Sequence, residues 1–316
     1  MASFFPETEV DTSENLPPLT EAAIKRVEEG VAAASDRLVR AKIETTLEQL
    51  SAIDREHREH REQRVHPKIR QWVMRSLIHS LFRVQVENLE QVPQQPAILA
   101  VNHLHHIDPL LLLAELPTQP YYYIIGDART LYNKWWKRLV LSFAGGVIPL
   151  QRIWKEELAV INAAKAGKTE LQPLATAIEQ NVNPGGSIQV LRQIEKIVLA
   201  ILAQGDSLIV FPEGKLGEKE GYLHPLKRGV VIYALRAGVP IIPVALTGTQ
   251  DLFFRKQLTI RFGEPLYFPS SKRPKREEID DALKIVQISL QNLLPTNYQE
   301  PQGIKLFRHF LNHLLW

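Results

Sequence analysis

Short apolar runs at residues 97–101, 121–125, 208–211, 241–246 and 258–262 alternate with stretches of helical periodicity. Several of these runs are apolar throughout instead of alternating, which suits strands covered by helices on both faces of a sheet. The clearest intervening helix covers about 187–204, with Leu191, Ile194, Val198, Ile201 and Leu202 on one face and Gly205 as its stop. Another covers roughly 228–237 and is stopped by Gly238 and Pro240. The alternation predicts an α/β domain over about residues 85–270, a mixed sheet covered by helices. A chain of 316 residues that is 45% hydrophobic and 23% charged can bury a large core, so wholesale disorder is excluded. It has no cysteine, which removes thiolate catalysis, iron-sulfur clusters and Cys-type zinc sites, and nothing argues for an oxidising compartment.

Around this domain the pattern changes. Residues 1–19 are polar and proline-bearing without periodicity and read as a disordered tail. Thr20 is placed to cap a helix running to Ser51, with Ile24, Val27, Val31, Leu38, Ile43, Leu47 and Leu50 at near-helical spacing. Residues 54–64, DREHREHREQR, carry opposite charges three or four apart and read as a solvated helix. Pro67 opens a further helix whose apolar face is Ile69, Trp72, Val73, Leu77, Leu81 and Val84, flanked by Lys68, Arg70, Arg75 and Arg83. The resulting division is a helical extension at 20–84, the α/β domain at 85–270, and C-terminal helices at 271–316.

The last 14 residues, GIKLFRHFLNHLLW, place Ile304, Phe307, Leu311, Leu314 and Trp316 among cations. This segment and the Pro67 helix have the composition of helices lying at a bilayer surface, and core packing is the alternative for the latter. Trp135, Trp136, Lys137 and Arg138, beside residues 139–141, admit the same two readings. No apolar run approaches the roughly 18 residues of a membrane span. The start, MASFFPETEV, lacks the regions of a signal peptide, so the expectation is a chain that neither spans a membrane nor is exported. Residues 1–64 hold 9 Lys or Arg against 14 Asp or Glu, whereas the remaining 252 hold 29 against 21. A basic main body favours an anionic partner. Its cations are dispersed and no recognition motif accompanies them, which argues against nucleic acid.

Four segments carry chemistry. In AILAVNHLHHIDPLLLL an apolar strand leads through a polar turn to a helix that Asp108 and Pro109 can start. Ligands of open α/β sheets usually bind at such strand ends. On one continuous helix His103 and Asp108 would stand about 140° apart, so they meet only if the chain turns between them. A carboxylate on one imidazole nitrogen would fix the tautomer and leave the other as a base. The alternatives are a plain helix cap with turn histidines, or a zinc site. The zinc hydrolase pattern H-x-H-x-D-H would need Asp at 107 and His at 108, where the chain has Ile107 and Asp108. The second segment, GGVIPLQR, is a glycine and proline turn presenting Arg152. In the third, SLIVFPEGKLGEKEGYLHPLKRG, a strand ends at Pro212, Glu213 and Gly214, where glycine permits close approach to a ligand. The fourth, VPIIPVALTG, is a strand with boundary prolines.

Together and in this order the four segments resemble the glycerolipid acyltransferase family, whose best-known members acylate 1-acylglycerol-3-phosphate (lysophosphatidate). The resemblance rests on N-H-x4-D at Asn102, His103 and Asp108, G-x-I-P-x-x-R ending at Arg152, F-P-E-G at residues 211–214, and V-P-I-I-P-V at residues 239–244. It covers roughly residues 85–268 and implies that family's α/β acyltransferase domain. It also implies transfer of a fatty acyl group from acyl carrier protein or coenzyme A, as co-substrate, to a lysolipid hydroxyl, without metal or other cofactor. His103 is then the general base and Asp108 its partner, with Asn102, Arg152, Glu213, Gly214 and Lys215 at the acceptor. His105 and His106 fill variable positions and receive no catalytic role.

A hydroxyl is a poor nucleophile near neutral pH, and an imidazole of pKa about 6.5 can take its proton as attack proceeds. The chain departs from the family's common F-P-E-G-T-R-S at Lys215, Leu216 and Gly217. Lys215 can supply a point charge without the paired donors of Arg, and Lys227 and Arg228 are further candidates. The departure keeps open an acceptor lacking a terminal phosphate, or a non-catalytic lipid-binding protein. Because acceptor and product are amphiphiles, the expected location is the cytoplasmic side of a membrane, held peripherally.

Overall fold

The computed structural model describes residues 16–52, 65–135, 137–138, 145–150, 153–182 and 188–313. The elements are α1 (Glu21–Ser35), α2 (Arg37–Ala52), α3 (Pro67–Leu81), β1 (Arg83–Glu87), β2 (Ile98–Val101), α4 (Asp108–Glu115), β3 (Tyr122–Asp127) and α5 (Ala128–Tyr132). They continue with β4 (Val147–Leu150), α6 (Lys155–Lys165), α7 (Gln172–Asn181), α8 (Ile188–Ala203), β5 (Ser207–Val210) and α9 (Gly229–Ala237). The last are β6 (Ile241–Thr247), β7 (Gln257–Phe262), α10 (Arg276–Leu293) and α11 (Arg308–His313).

The sheet has seven strands in the order β1-β7-β6-β2-β5-β3-β4. Strand β2 is parallel to β5, with Ile98 opposite Leu208, and to β6, with Ile98 opposite Ile241. The sheet is mixed because β7 runs antiparallel to β6, with Val244 opposite Phe262. Ile98, Leu99, Leu208, Ile209, Ile241, Ile242 and Val244 are fully buried, as uniformly apolar strands under helices on both faces should be. Since β2, β5 and β6 are adjacent and parallel, the turn after Val101, the loop after Val210 and the loop after Thr247 leave the same edge of the sheet.

The expected strands are all present. Two more exist that the sequence did not signal. β1 was hidden because the apolar periodicity of the preceding helix carries on to Val84; the helix stops at Leu81 and Phe82 is buried in extended conformation. β4 lies in the GGVIPLQR segment, where Gly145 and Gly146 have positive φ and residues 147–149 are buried. Helix α9 ends at Gly238 in the left-handed region, φ 68°, where glycine carries no Cβ penalty.

The chain divides into two compact units, one of residues 1–51, 126–141 and 149–194, the other of 52–125, 142–148 and 195–316. In the first, Thr20 caps α1 by accepting from the Ala23 amide. The single helix expected to Ser51 breaks at Asp36, whose carboxylate accepts from the Leu38 amide and starts α2. Val27 and Val31 of α1 pack with Val160 and Ile161 of α6 and Ala175 and Ile178 of α7, so this unit joins segments distant in sequence. Lys137 is buried and donates to the Thr130 carbonyl, while Trp135 is exposed.

The second unit holds α3 and the site described below, so the 20–84 extension is not one body: α1 and α2 lie in the first unit and α3 in the second. Helix α3 buries Arg70, Met74 and Ile78, and its expected apolar face is largely outward, with Ile69, Trp72 and Leu77 exposed. No helix among the described residues is long and apolar enough to cross a membrane. The 1–15 part of the predicted tail, the 54–64 helix, Trp136, residues 139–141, the 183–186 loop, Leu314 and Trp316 lie outside the described residues.

Candidate active site

Residues 102–108 turn through a loop at the end of β2 before α4 begins. The turn brings His103 Nδ1 to 2.9 Å from Asp108 Oδ2. The same oxygen accepts from the amides of Leu104 at 2.8 Å and His105 at 2.9 Å. Asp108 is the first residue of α4 and its carboxylate points back into the turn, not forward onto the helix amides. It is fully buried. An ionised carboxylate only accepts, so the imidazole carries its proton on Nδ1 and offers the Nε2 lone pair. Among the described residues nothing hydrogen-bonds to that Nε2. The His103 ring is stacked on Phe211, centroids 4.2 Å apart, and keeps a minor exposed surface, 17% of the side chain.

The loop after β5 holds the backbone of the same histidine at both ends. Glu213 Oε1 accepts from the His103 amide at 2.9 Å, and the Gly217 amide donates to the His103 carbonyl at 2.5 Å. The second oxygen of Glu213 accepts from the His224 amide at 2.8 Å. Burial raises the Glu213 pKa, opposed by these two amides. Glu213, expected at the acceptor, therefore spends both oxygens on backbone. Gly214, also expected there, turns the chain with φ +67°, and its amide donates to the Phe211 carbonyl.

Asn102 is likewise used internally. Its Nδ2 donates to the Leu246 carbonyl at 3.0 Å and its Oδ1 accepts from the Leu246 amide at 2.7 Å, which extends the β2 to β6 ladder by a side chain. Lys215 is exposed with Nζ 3.8 Å from Glu218 Oε1, at the outer end of the loop. Arg228 is bonded through two nitrogens to Asp280, at 2.8 and 3.1 Å. Arg152 lies outside the described residues.

Of the other histidines in the turn, His105 is buried with both nitrogens engaged: Nδ1 accepts from the Ile107 amide and Nε2 donates to the Asn312 carbonyl. Burial lowers its pKa, with Asp108 and the Asn312 carbonyl acting in the other direction, so the neutral ring is favoured. A ring so engaged offers no lone pair to a cation, which takes away one of the donors a zinc reading needs. Among the described residues no group of three or more His, Cys, Asp or Glu is arranged to hold a metal ion.

Two supports had no signal in the sequence. Glu220, one acid in a charge-rich loop, is buried and accepts from the amides of Gly248 and Gln250, which secures the loop after β6. Asn312 reaches the turn from α11 through a backbone carbonyl, a contact that side-chain spacing cannot reveal.

The mixed α/β sheet thus carries, at a strand end, an imidazole held by a buried carboxylate. The acyltransferase family model matches residues 83–247, just over half of the chain, and the protein belongs to that family. Among curated relatives it is 32% identical over 129 residues to a 1-acyl-sn-glycerol-3-phosphate acyltransferase of Limnanthes douglasii, covering 38% of this chain and 43% of the relative. It is 35% identical over 79 residues to one of Cocos nucifera, covering 25% and 24%. The human 1-acyl-sn-glycerol-3-phosphate acyltransferase alpha is 31% identical over 80 residues, covering 25% and 27%. The chain thus spans less than half the length of these relatives. The crystal structure of the Thermotoga maritima acyltransferase PlsC superposes with a TM-score of 0.45 and 17% identity, covering 88% of this chain and all of that one.

Proposed function

We propose that the protein transfers a fatty acyl group from a thioester of acyl carrier protein or coenzyme A to the hydroxyl of lysophosphatidate or a related lysolipid. The observation that carries this reading is the 2.9 Å contact of His103 Nδ1 with a fully buried Asp108, which leaves Nε2 as the base. Nε2 takes the hydroxyl proton while the oxygen attacks the thioester carbonyl. The tetrahedral adduct then collapses, the C–S bond breaks, and the imidazolium returns the proton to the departing thiolate. Asp108 stabilises the imidazolium between these steps, and such general base assistance contributes about 10² to 10⁴ in rate. No acyl-enzyme is needed.

Asn102 and Glu213 act as positioning residues in this scheme, since their polar atoms hold the backbone around His103. Arg152 supplies the paired donors that suit a phosphate, and exposed Lys215 adds a point charge. A second reading, an acceptor lacking a terminal phosphate, is favoured by Arg228 being engaged with Asp280 and by Glu218 lying beside Lys215. The protein works at the cytoplasmic surface of a bilayer, where its amphiphilic acceptor resides. Supporting this, α3 exposes Ile69, Trp72 and Leu77 alongside Lys68.

The test is thioester consumption with lipid mass spectrometry, comparing the intact protein and His103→Ala over lysophosphatidate, other lysolipids and glycerol-3-phosphate with both donors. An acylated product from the intact protein, reduced at least about 100-fold in the variant, is expected. Equal product from both proteins would remove His103 as the base, and no product across the panel would favour a lipid-binding role.

A further inference from the structure

The chain from Pro301 to His313 hooks back over the loop after β6, and its base is held by polar contacts. Lys305 Nζ and Arg308 Nε each bond a separate oxygen of Asp251 at 2.7 Å. Asn312 Oδ1 accepts from the Leu252 amide at 2.9 Å, and its Nδ2 donates to the Leu252 carbonyl at 2.9 Å. Leu311 alone of this segment's large apolar side chains is buried. The others face out: Ile304 is 89% exposed, Phe307 65%, Phe310 58% and Leu306 55%. Phe254 continues the surface, with its ring 6.0 Å from that of Phe307 and its amide donating to the Leu306 carbonyl. A polar base with an apolar crest is the reverse of what an internally packed terminus would show.

The neighbouring charges indicate what covers the crest. Arg255 follows Phe254, and its amide donates to the Leu81 carbonyl; Arg83 joins the same place through its amide on the Lys256 carbonyl. Both arginines are exposed. Among the described residues neither guanidinium has a carboxylate partner, unlike Lys305 and Arg308. Apolar side chains beside uncompensated cations match an anionic lipid surface, where the aromatics enter the acyl boundary and the guanidiniums meet phosphates. Two copies of this chain meeting face to face would oppose like charges.

The patch is also wired to the turn. The Asn312 carbonyl accepts from His105 Nε2 at 3.3 Å, and the His105 amide bonds the same Asp108 oxygen that orients His103. We propose that Ile304, Leu306, Phe307, Phe310 and Phe254, flanked by Arg83 and Arg255, dock on an anionic bilayer, and that this docking steadies the His103–Asp108 turn through Asn312 and His105. The inference rests on the bilayer reading above and specifies its surface and lipid charge.

The experiment is sedimentation of the full chain with phosphatidylglycerol or phosphatidylcholine vesicles, followed by hydrogen exchange of residues 102–110 with and without vesicles. Neither readout needs acyl transfer. The intact protein is expected to prefer phosphatidylglycerol and to exchange more slowly at 102–110 when bound. Phe307→Asp with Phe310→Asp, both on exposed positions, is expected to weaken binding by about tenfold or more. Arg83→Ser with Arg255→Ser is expected to abolish the preference for the anionic vesicle while leaving the circular dichroism spectrum unchanged. Wild-type binding by the aromatic variant would overturn the surface while leaving the bilayer reading standing. Failure of the intact protein to bind either vesicle would overturn both. Unchanged exchange at 102–110 on binding would overturn the link to the turn. Loss of a dimer in the aromatic variant, with vesicle binding intact, would assign the crest to a second copy.

Discussion

The turn after β2 and the loop after β5 leave adjacent parallel strands, and each carries a buried carboxylate, yet the two acids do different things. Asp108 gives one oxygen to an imidazole and two amides inside its own turn. Glu213 gives its two oxygens to amides from two separate segments, at His103 and His224. The first arrangement presents a side chain, and the second fixes the backbone from which that side chain departs. Phe211 under the ring and the Gly217 amide on the His103 carbonyl complete the support. Two motifs separated by about a hundred residues thus form one device, in which the later motif is the mount of the earlier.

The sharpest way to break this comparison is to exchange the chemistry of the two acids. Asp108→Asn keeps an acceptor oxygen for the amides but removes the charge that, in the proposed scheme, stabilises the imidazolium, and we expect acyl transfer to fall by about 10² or more. Glu213→Gln removes a charge too, yet keeps an acceptor for one of its two amides, and a much smaller loss of rate is expected. Equal losses of kcat in the two variants, measured at matched substrate saturation, would erase the distinction. Glu213→Ala goes further by leaving two amides without their acceptor. At about 1–3 kcal/mol for each unsatisfied buried group, the variant should lose about 2–6 kcal/mol in urea unfolding. An Ala variant as stable as Gln would show that the carboxylate is not the mount.

Much of the presenting side of this device was legible in the sequence, and little of the mounting side was. His103 and Asp108 could be paired because Asp108-Pro109 signals a helix start, and a helix start after a polar turn brings them together. The resemblance puts Asn102 and Glu213 at the acceptor, while their polar atoms also bond distant backbone, at Leu246 and at His103 and His224, which no spacing in the sequence reveals. Glu220 and Asn312 were invisible for the same reason. The uniformly apolar strands declared themselves, whereas β1 was hidden by helical periodicity running past Phe82 and β4 by the turn chemistry of two glycines and a proline.

A milder perturbation tests how closely the two motifs fit. The motif F-P-E-G-T-R-S of the resembled family has a hydroxyl residue where this chain has Gly217. A Cβ added there would stand 2.9 Å from Leu104 Cδ2 and 3.3 Å from the His103 carbonyl oxygen. Leu104 is buried, so its methyl can give only in part, and Gly217→Ser should cost about 1–2 kcal/mol. In a Leu104→Ala background the 2.9 Å contact is gone and the 3.3 Å approach to the His103 carbonyl oxygen remains, so most of the penalty should disappear in a double-mutant cycle. A penalty of equal size in both backgrounds would place the strain elsewhere in the loop.

The smallest effect expected is on the pH dependence of stability, where the groups of the device oppose one another. His105 has a pKa lowered mainly by burial, so the unfolded chain binds its proton first as the pH falls. Its contribution is complete above the unfolded value of about 6.5 and is lost as the pH drops towards the folded one. Glu213 and Glu220 have pKa values raised mainly by burial, so the folded chain holds their protons at higher pH than the unfolded one. From their folded values down to the usual carboxylate range they add stability as the pH falls. The opposed slopes partly offset in the intact protein. Substituting His105→Gln removes one side of the balance, so between pH 7 and pH 5 the variant should gain stability with acidification relative to the intact protein, whatever its starting value. Parallel curves for the two proteins in urea unfolding would mean that His105 is not held neutral by its burial against Asn312.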